Sequence, residues 1–108
     1  MSMMRDCIEA CDRAHRRCTE TAIHAMQQGG QLAEWHLVQL LLDSADINET
    51  AADFLLRSSR LHHLTCRAAA EVSDLCANAC EAFAGQDLRM KECAEACRRA
   101  ATHCRKLL

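Results

Sequence analysis

The chain has 108 residues, enough for a single hydrophobic core, and we expect residues 1–108 to form one domain. Thirteen Lys and Arg against fifteen Asp and Glu give a formal net charge of −2, which argues against nucleic-acid partners and against anionic membrane surfaces. No apolar run approaches the roughly 18 residues of a membrane span, and Arg5, Asp6 and Glu9 interrupt any signal-peptide core. We therefore expect a cytoplasmic protein without membrane partners.

Glycines and polar pairs divide this proline-free chain into segments of similar length. The breaks fall at Gly29-Gly30, at the Ser58-Ser59 pair and at Gly85. They predict helices at about 3–28, 31–57, 60–84 and 87–107, each roughly 30–40 Å long. No segment shows the alternation typical of strands. Equal lengths and short connections favour an all-α fold, an antiparallel up-down-up-down four-helix bundle.

The first, third and fourth segments carry the cysteines at helical spacing. The first contains CIEACDRAHRRC (7–18) and the fourth contains CAEACRRAATHC (93–104), while CANACEA (76–82) in the third is a shorter version of the same pattern. Residues four apart lie on one helix face, and a further seven residues return to that face. The pattern predicts stripes of thiols facing a shared interior.

The second segment differs because it has no cysteine. Ser44 and Asn48 interrupt its apolar stripe on the same face. Small polar side chains are tolerated there only if they find hydrogen-bond partners.

In an antiparallel bundle the thiols gather by height. One end is expected to collect Cys7, Cys66 and Cys104, and the other Cys18, Cys76 or Cys80, and Cys93, with Cys11 and Cys97 between them. His62 and His63, with Met3 and Met4, are expected near the first end, and Met26 and Met90 near the second. Histidine and thioether side chains there are candidate entry ligands, although a solvated helix start and gap filling explain them equally well.

Thiol stripes of this kind favour a soft metal ion. An odd number of cysteines excludes complete disulfide pairing. The chain has CxxxC pairs but no CxxC knuckle of the structural zinc type. Zinc binding is therefore possible, but the cysteine spacing does not indicate it. Thiolates and thioethers select Cu(I).

Two other kinds of protein remain open at this point. The cysteines could serve mainly as small core residues of a structural, oligomeric bundle. A redox enzyme is less favoured, since the chain lacks the CxxC of thioredoxin-like sites and the Glu-x-x-His of di-iron bundles.

With CIEAC, CANAC, CAEACRRAATHC and the junction LHHLTC, the chain resembles the cysteine-rich four-helix-bundle copper storage proteins. The resemblance implies a cytosolic, non-enzymatic protein that holds Cu(I) inside the bundle and assembles as a homo-oligomer, usually a tetramer. It also implies that the ligands are the nine cysteines, with His62 or His63 at a bundle end. The cysteines are Cys7, Cys11, Cys18, Cys66, Cys76, Cys80, Cys93, Cys97 and Cys104.

Members of that family generally carry more cysteines, including some on the second helix. In this chain Ser44, Asn48 and Ser73 stand where the spacing would accept a thiol. We therefore expect a partial copper store.

Overall fold

The computed structural model describes residues 2–108 and contains four α-helices in that range. They are α1 (Met3–Gln28), α2 (Trp35–Leu56), α3 (His62–Glu81) and α4 (Leu88–Arg105), with a 3₁₀ helix at Gly30–Ala33. Each helix packs against two others, α1 and α3 both contacting α2 and α4, and the bundle measures 43 × 21 × 17 Å. The predicted antiparallel four-helix bundle is confirmed. Within residues 2–108, none of the helices combines the length and apolar content needed to cross a bilayer.

The first connection depends on two glycines with positive φ. Gly29 has φ 73° and Gly30 has φ 61°, values that L side chains adopt with strain. The Gly29 N–H closes α1 by donating to the Ala25 carbonyl over 3.2 Å. The chain then makes the 3₁₀ turn, and α2 begins at Trp35 after an extended Glu34. The prediction that the second helix starts near residue 31 was therefore wrong.

The other two connections also shorten the predicted helices. Ser58 has a positive φ of 54°, and the Ser59 hydroxyl accepts a hydrogen bond from the Leu61 N–H, so the serine pair forms a turn and α3 begins at His62. After Glu81 the backbone forms further turns. Helix α4 then begins behind Asp87, whose carboxylate accepts from the Met90 N–H over 3.0 Å, a standard N-cap arrangement.

Small residues fill most of the interior. Alanines and cysteines dominate the buried set, and Leu41, Leu55 and Met90 are its largest fully buried hydrophobic side chains. Each small side chain buries little apolar area, so the few large buried side chains contribute much of the stability that comes from packing.

Leu41→Ala is expected to lower the free energy of unfolding by about 3 kcal/mol, since a fully buried leucine is lost and a cavity remains. Leu42→Ala is the matched control on the neighbouring position, where the side chain is 38% exposed, and a loss of less than about 1 kcal/mol is expected. Urea unfolding of the reduced proteins measures both. Equal losses would contradict the packing described here.

Candidate metal centre

Five cysteines from three helices form one buried thiol cluster, referred to below as the five-thiol cluster. The Cys18 sulfur of α1 lies 3.7 Å from that of Cys93 and 3.5 Å from that of Cys97, both on α4. The sulfurs of Cys76, on α3, and these three all lie within 4.8 Å of one another. Cys80, one helical turn after Cys76 on α3, is buried in the same core region and is counted with the cluster.

A second group, the four-thiol cluster, lies nearer the other end. The Cys104 sulfur of α4 is 3.7 Å from that of Cys7 and 3.5 Å from that of Cys11, which are themselves 4.0 Å apart on α1. Cys66 of α3 completes the cluster, within 4.8 Å of Cys7 and Cys104. All nine cysteines are free and fully buried.

The expected end groups are present, and the two thiols expected between them each join one of the groups on its inner side. Cys11 belongs to the four-thiol cluster and Cys97 to the five-thiol cluster. Side chains one helical turn apart can both reach a single thiol on a facing helix. Cys104 thus contacts both Cys7 and Cys11, and Cys18 contacts both Cys93 and Cys97.

Hydrogen bonds between thiols lower the pKa of one sulfur in each cluster. Hydrogen bonds with Cys104, Cys11 and Cys66 lower the pKa of Cys7. Hydrogen bonds with Cys18, Cys76 and Cys80 likewise lower the pKa of Cys93. One thiolate in each cluster is therefore favoured by its neighbours.

In both clusters the pKa of other thiols is raised, which favours their protonated form. A hydrogen bond with Cys104 lowers the pKa of Cys66, but the bond with Cys7, burial and the nearby charge outweigh it and raise the pKa of Cys66 to about 11. Hydrogen bonds and burial also raise the pKa of Cys18 and of Cys104. Further thiolates can form in these clusters only with a cation to neutralise them.

A polar layer lies between the two clusters, formed by Ser44 and Asn48 of α2 and Ser73 of α3, all fully buried. The Asn48 amide nitrogen donates to the Ser44 carbonyl over 2.8 Å, to the Ser44 hydroxyl over 3.2 Å and to the Ser73 hydroxyl over 2.9 Å. The Asn48 carbonyl oxygen, Oδ1, has no hydrogen-bond partner in the part of the chain described, an arrangement that costs about 1–3 kcal/mol. The hydrogen-bond partners that these buried polar side chains need are thus present for all but one atom.

A family model described as copper storage protein matches residues 1–108, the whole chain. The chain belongs to the copper storage protein family. No curated protein matches it.

Solved structures agree with the family assignment. A protein from Nitrosospira multiformis is 36% identical, with a TM-score of 0.89 over 97% of this chain and 94% of that one. A cytosolic copper storage protein from Streptomyces lividans, in a structure of copper loading with five coppers, is 28% identical, with a TM-score of 0.86 over 98% of this chain and 92% of that one. A Cu(I)-bound copper storage protein, at 23% identity and a TM-score of 0.90 over 97% of each chain, shares the fold.

In this copper storage family member, the two histidines predicted as ligands lie in the first turn of α3, ahead of Cys66. His62 is half-buried and its Nδ1 lies 3.0 Å from the Ser59 carbonyl, while His63 is exposed. Their rings are 6.3 Å apart. Among residues 2–108, the groups of side chains close enough to share an ion include neither histidine. Their role as ligands remains a prediction.

The methionines divide in a similar way. Met90 is fully buried and packs in the core with the five-thiol cluster, and the half-buried Met4 packs beside the four-thiol cluster. Met3 and Met26 are each 52% exposed.

One polar contact near the five-thiol end was missed in the sequence. The His24 Nε2 lies 2.8 Å from the Asp87 carboxylate, joining the last turns of α1 to the N-cap of α4. Burial would raise the pKa of Asp87, but hydrogen bonds from His24 and from the Met90 N–H lower it. An aspartate between Gly85 and a helical pattern is a typical N-cap and could have been recognised. Its pairing with a residue 63 positions away could not.

Proposed function

We propose that this copper storage family member binds Cu(I) between the thiolates of its two buried clusters, as a store or buffer. The observation that carries the proposal is the convergence of nine buried thiols into two clusters of closely spaced sulfurs. Core packing alone needs only small side chains at these positions, and alanine supplies them without the oxidation risk of a thiol. The Streptomyces lividans relative, described by its copper loading, supports the same ion.

The sulfur spacing suits shared coordination. With metal–sulfur bonds of about 2.3 Å, two sulfurs on a trigonal ion lie about 4.0 Å apart, close to the 3.5–4.0 Å seen in the four-thiol cluster. Bound ions would neutralise the thiolates. Without an ion, the buried interior favours the protonated thiols. Soft ligands of this kind favour Cu(I) over harder ions.

Zinc is the competing ion in the five-thiol cluster. A tetrahedral zinc site places its sulfurs about 3.8 Å apart, and Cys18 lies 3.7 Å from Cys93. Four mutually close thiols can therefore accept zinc as well as copper, so the test includes both ions.

The proposed role is non-catalytic, cytoplasmic and oligomeric. All nine thiols are fully buried, whereas a catalytic thiol needs access to its substrate. A reducing compartment keeps thiols free, and the Streptomyces lividans relative is described as cytosolic. Exposed apolar side chains at Trp35, Leu56 and Leu88 support a homo-oligomer. We propose that this homo-oligomer is a tetramer.

Anaerobic titration of the reduced protein with Cu(I), in competition with a strong chromogenic chelator, tests the function. We expect each chain to take several equivalents of Cu(I) from the chelator. An equal concentration of zinc is not expected to displace this copper. Uptake of less than one equivalent per chain would contradict copper storage. Displacement by zinc would make zinc the preferred ion.

A further inference from the structure

The interior of this bundle is not a continuous column of sulfur. In the part of the chain that is described, each hydrogen bond between two sulfurs joins members of the same cluster. The polar layer of α2 and α3 lies between the clusters, and the other two helices contribute the fully buried alanines Ala14 of α1 and Ala100 of α4, which pack together. Along α1, α3 and α4 the interval between the two clusters contains no cysteine, and α2 has none at all.

The gap is too long for a shared thiolate. Cys11 and Cys18 are seven residues apart on α1, and so are Cys97 and Cys104 on α4, which corresponds to about 10 Å along the helix axis. Two ions that share a bridging sulfur lie within about 4.6 Å, twice a metal–sulfur bond of about 2.3 Å. A chain of thiolate-bridged ions therefore stops at the layer.

The layer offers ligands of the wrong kind. Its polar atoms are hydroxyl and amide oxygens and an amide nitrogen, which suit hard cations, whereas Cu(I) selects sulfur. The layer also carries no ionised side chain to balance a cation. Its geometry is fixed, because the Asn48 amide nitrogen bonds to Ser44 on its own helix and to Ser73 on α3.

Among the described residues, the hydrogen bonds between the polar layer and sulfur atoms all go to the five-thiol cluster. The Cys18 thiol donates to the Ser44 hydroxyl over 3.3 Å, and the same hydroxyl lies 3.7 Å from the Cys97 sulfur. On the other side, Cys11 and Cys104 bond to sulfurs of their own cluster. The five-thiol and four-thiol clusters therefore have different surroundings, and they share no ligand.

We propose that the polar layer of Ser44, Asn48 and Ser73 divides the interior into two copper compartments that fill independently. One compartment is the five-thiol cluster and the other is the four-thiol cluster. The inference rests on the proposed function and specifies how the store is organised: two small, separate Cu(I)–thiolate clusters in one bundle.

The experiment compares the wild type with two variants that each keep one cluster. Replacing Cys7, Cys11, Cys66 and Cys104 with alanine keeps the five-thiol cluster, and replacing Cys18, Cys76, Cys80, Cys93 and Cys97 with alanine keeps the other. Anaerobic Cu(I) titration against the chelator gives the capacity and affinity of each. We expect the two capacities to sum to the wild-type capacity, and each remaining cluster to keep its affinity within about threefold.

A paired set of layer variants tests the barrier itself. Asn48→Cys with Ser73→Cys supplies thiols at the missing height and is expected to raise the capacity above the wild type. Asn48→Ala with Ser73→Ala is the matched control, which removes the same polar groups without adding sulfur and is expected to leave the capacity unchanged. Circular dichroism checks that all variants are folded. If a multiple variant fails to fold, Cys11→Ala with Cys104→Ala and Cys18→Ala with Cys97→Ala repeat the comparison with smaller changes.

The outcomes separate this inference from the function on which it rests. A more than tenfold loss of affinity in one cluster when the other is removed, or an alanine layer variant with raised capacity, would overturn the division while leaving copper storage intact. Failure of the wild type to compete with the chelator would overturn storage itself.

Discussion

Loading the reduced protein with Cu(I) is expected to raise its unfolding temperature by more than about 20 °C. An ion that binds only the folded state at a thousand times its dissociation constant adds about 4 kcal/mol of stability. Two clusters together would therefore add about 8 kcal/mol. A domain of this size gains roughly 4–8 °C for each kcal/mol. The figure of 20 °C is set below the product because cysteines of the unfolded chain also bind copper and reduce the gain.

Differential scanning calorimetry under anaerobic conditions measures this shift, with the apoprotein and the chelator-stripped protein as references. The shift should disappear on stripping, since the stabilisation belongs to the bound ions. Leu41→Ala offers a further control, because its lower stability arises in the apolar packing and its copper-induced shift should stay close to that of the wild type. A shift below about 5 °C would mean that the unfolded chain binds copper nearly as well as the folded bundle, and that the buried clusters give no advantage.

The sequence was sufficient for the bundle and for the stripes of cysteine. Four long segments without proline and with helical spacing of apolar residues leave few alternatives to an antiparallel bundle. The ends of the helices were less predictable. Residues 31–33 have helical composition, yet two successive glycines with positive φ turn the chain and postpone α2 to Trp35. The third helix ends at Glu81, and turns through residues 82–86 then lead to the Asp87 cap of α4.

The membership of the clusters depended on heights that spacing alone does not give. Antiparallel directions place Cys7 near Cys104 and Cys18 near Cys93, as expected. The position of Cys97 depends on the offset between α1 and α4 to within about one turn. That offset is set by packing along the whole interface, so the sequence could not decide that Cys97 joins Cys18.

The polar layer was visible in the sequence only as an interruption. Ser44 and Asn48 stood out because they lie on a buried face without an apolar side chain. Their bonding depends on the register of α2 against α3, which brings the Asn48 amide within 2.9 Å of the Ser73 hydroxyl. The same register leaves the Asn48 Oδ1 atom without a partner among residues 2–108, a cost that an alanine or a cysteine there would avoid. The layer is therefore retained at some expense in stability.

Acidification is expected to weaken Cu(I) binding by about 10-fold per pH unit for the first ion in each cluster and about 100-fold for later ions. Cu(I) binds thiolate, so each thiol protonated in the apoprotein must release a proton when it becomes a ligand. The first ion can use Cys7 or Cys93, whose pKa values are lowered by hydrogen bonds with neighbouring thiols. With two ligands per ion, it then releases one proton. Later ions use thiols of raised pKa and release two.

The sign and range of this dependence follow from the direction of the pKa shifts. A ligand with a raised pKa gains affinity as the pH rises and continues to gain until its own pKa is passed, which for Cys66 is about 11. The chelator competition, repeated at pH 6, 7 and 8 with the chelator's own protonation taken into account, gives the slopes. Proton release into a weakly buffered indicator solution counts the protons directly.

The same measurement separates thiol ligands from imidazole ligands. A site that depended on His62 or His63 would lose affinity for Cu(I) when these residues are replaced, whereas a site built from thiols alone would not. We expect the double variant His62→Ala and His63→Ala to reproduce the wild-type affinity and slopes, because neither ring joins a thiol cluster in the described structure. A loss of Cu(I) affinity in that variant would assign the histidines a direct part in holding copper.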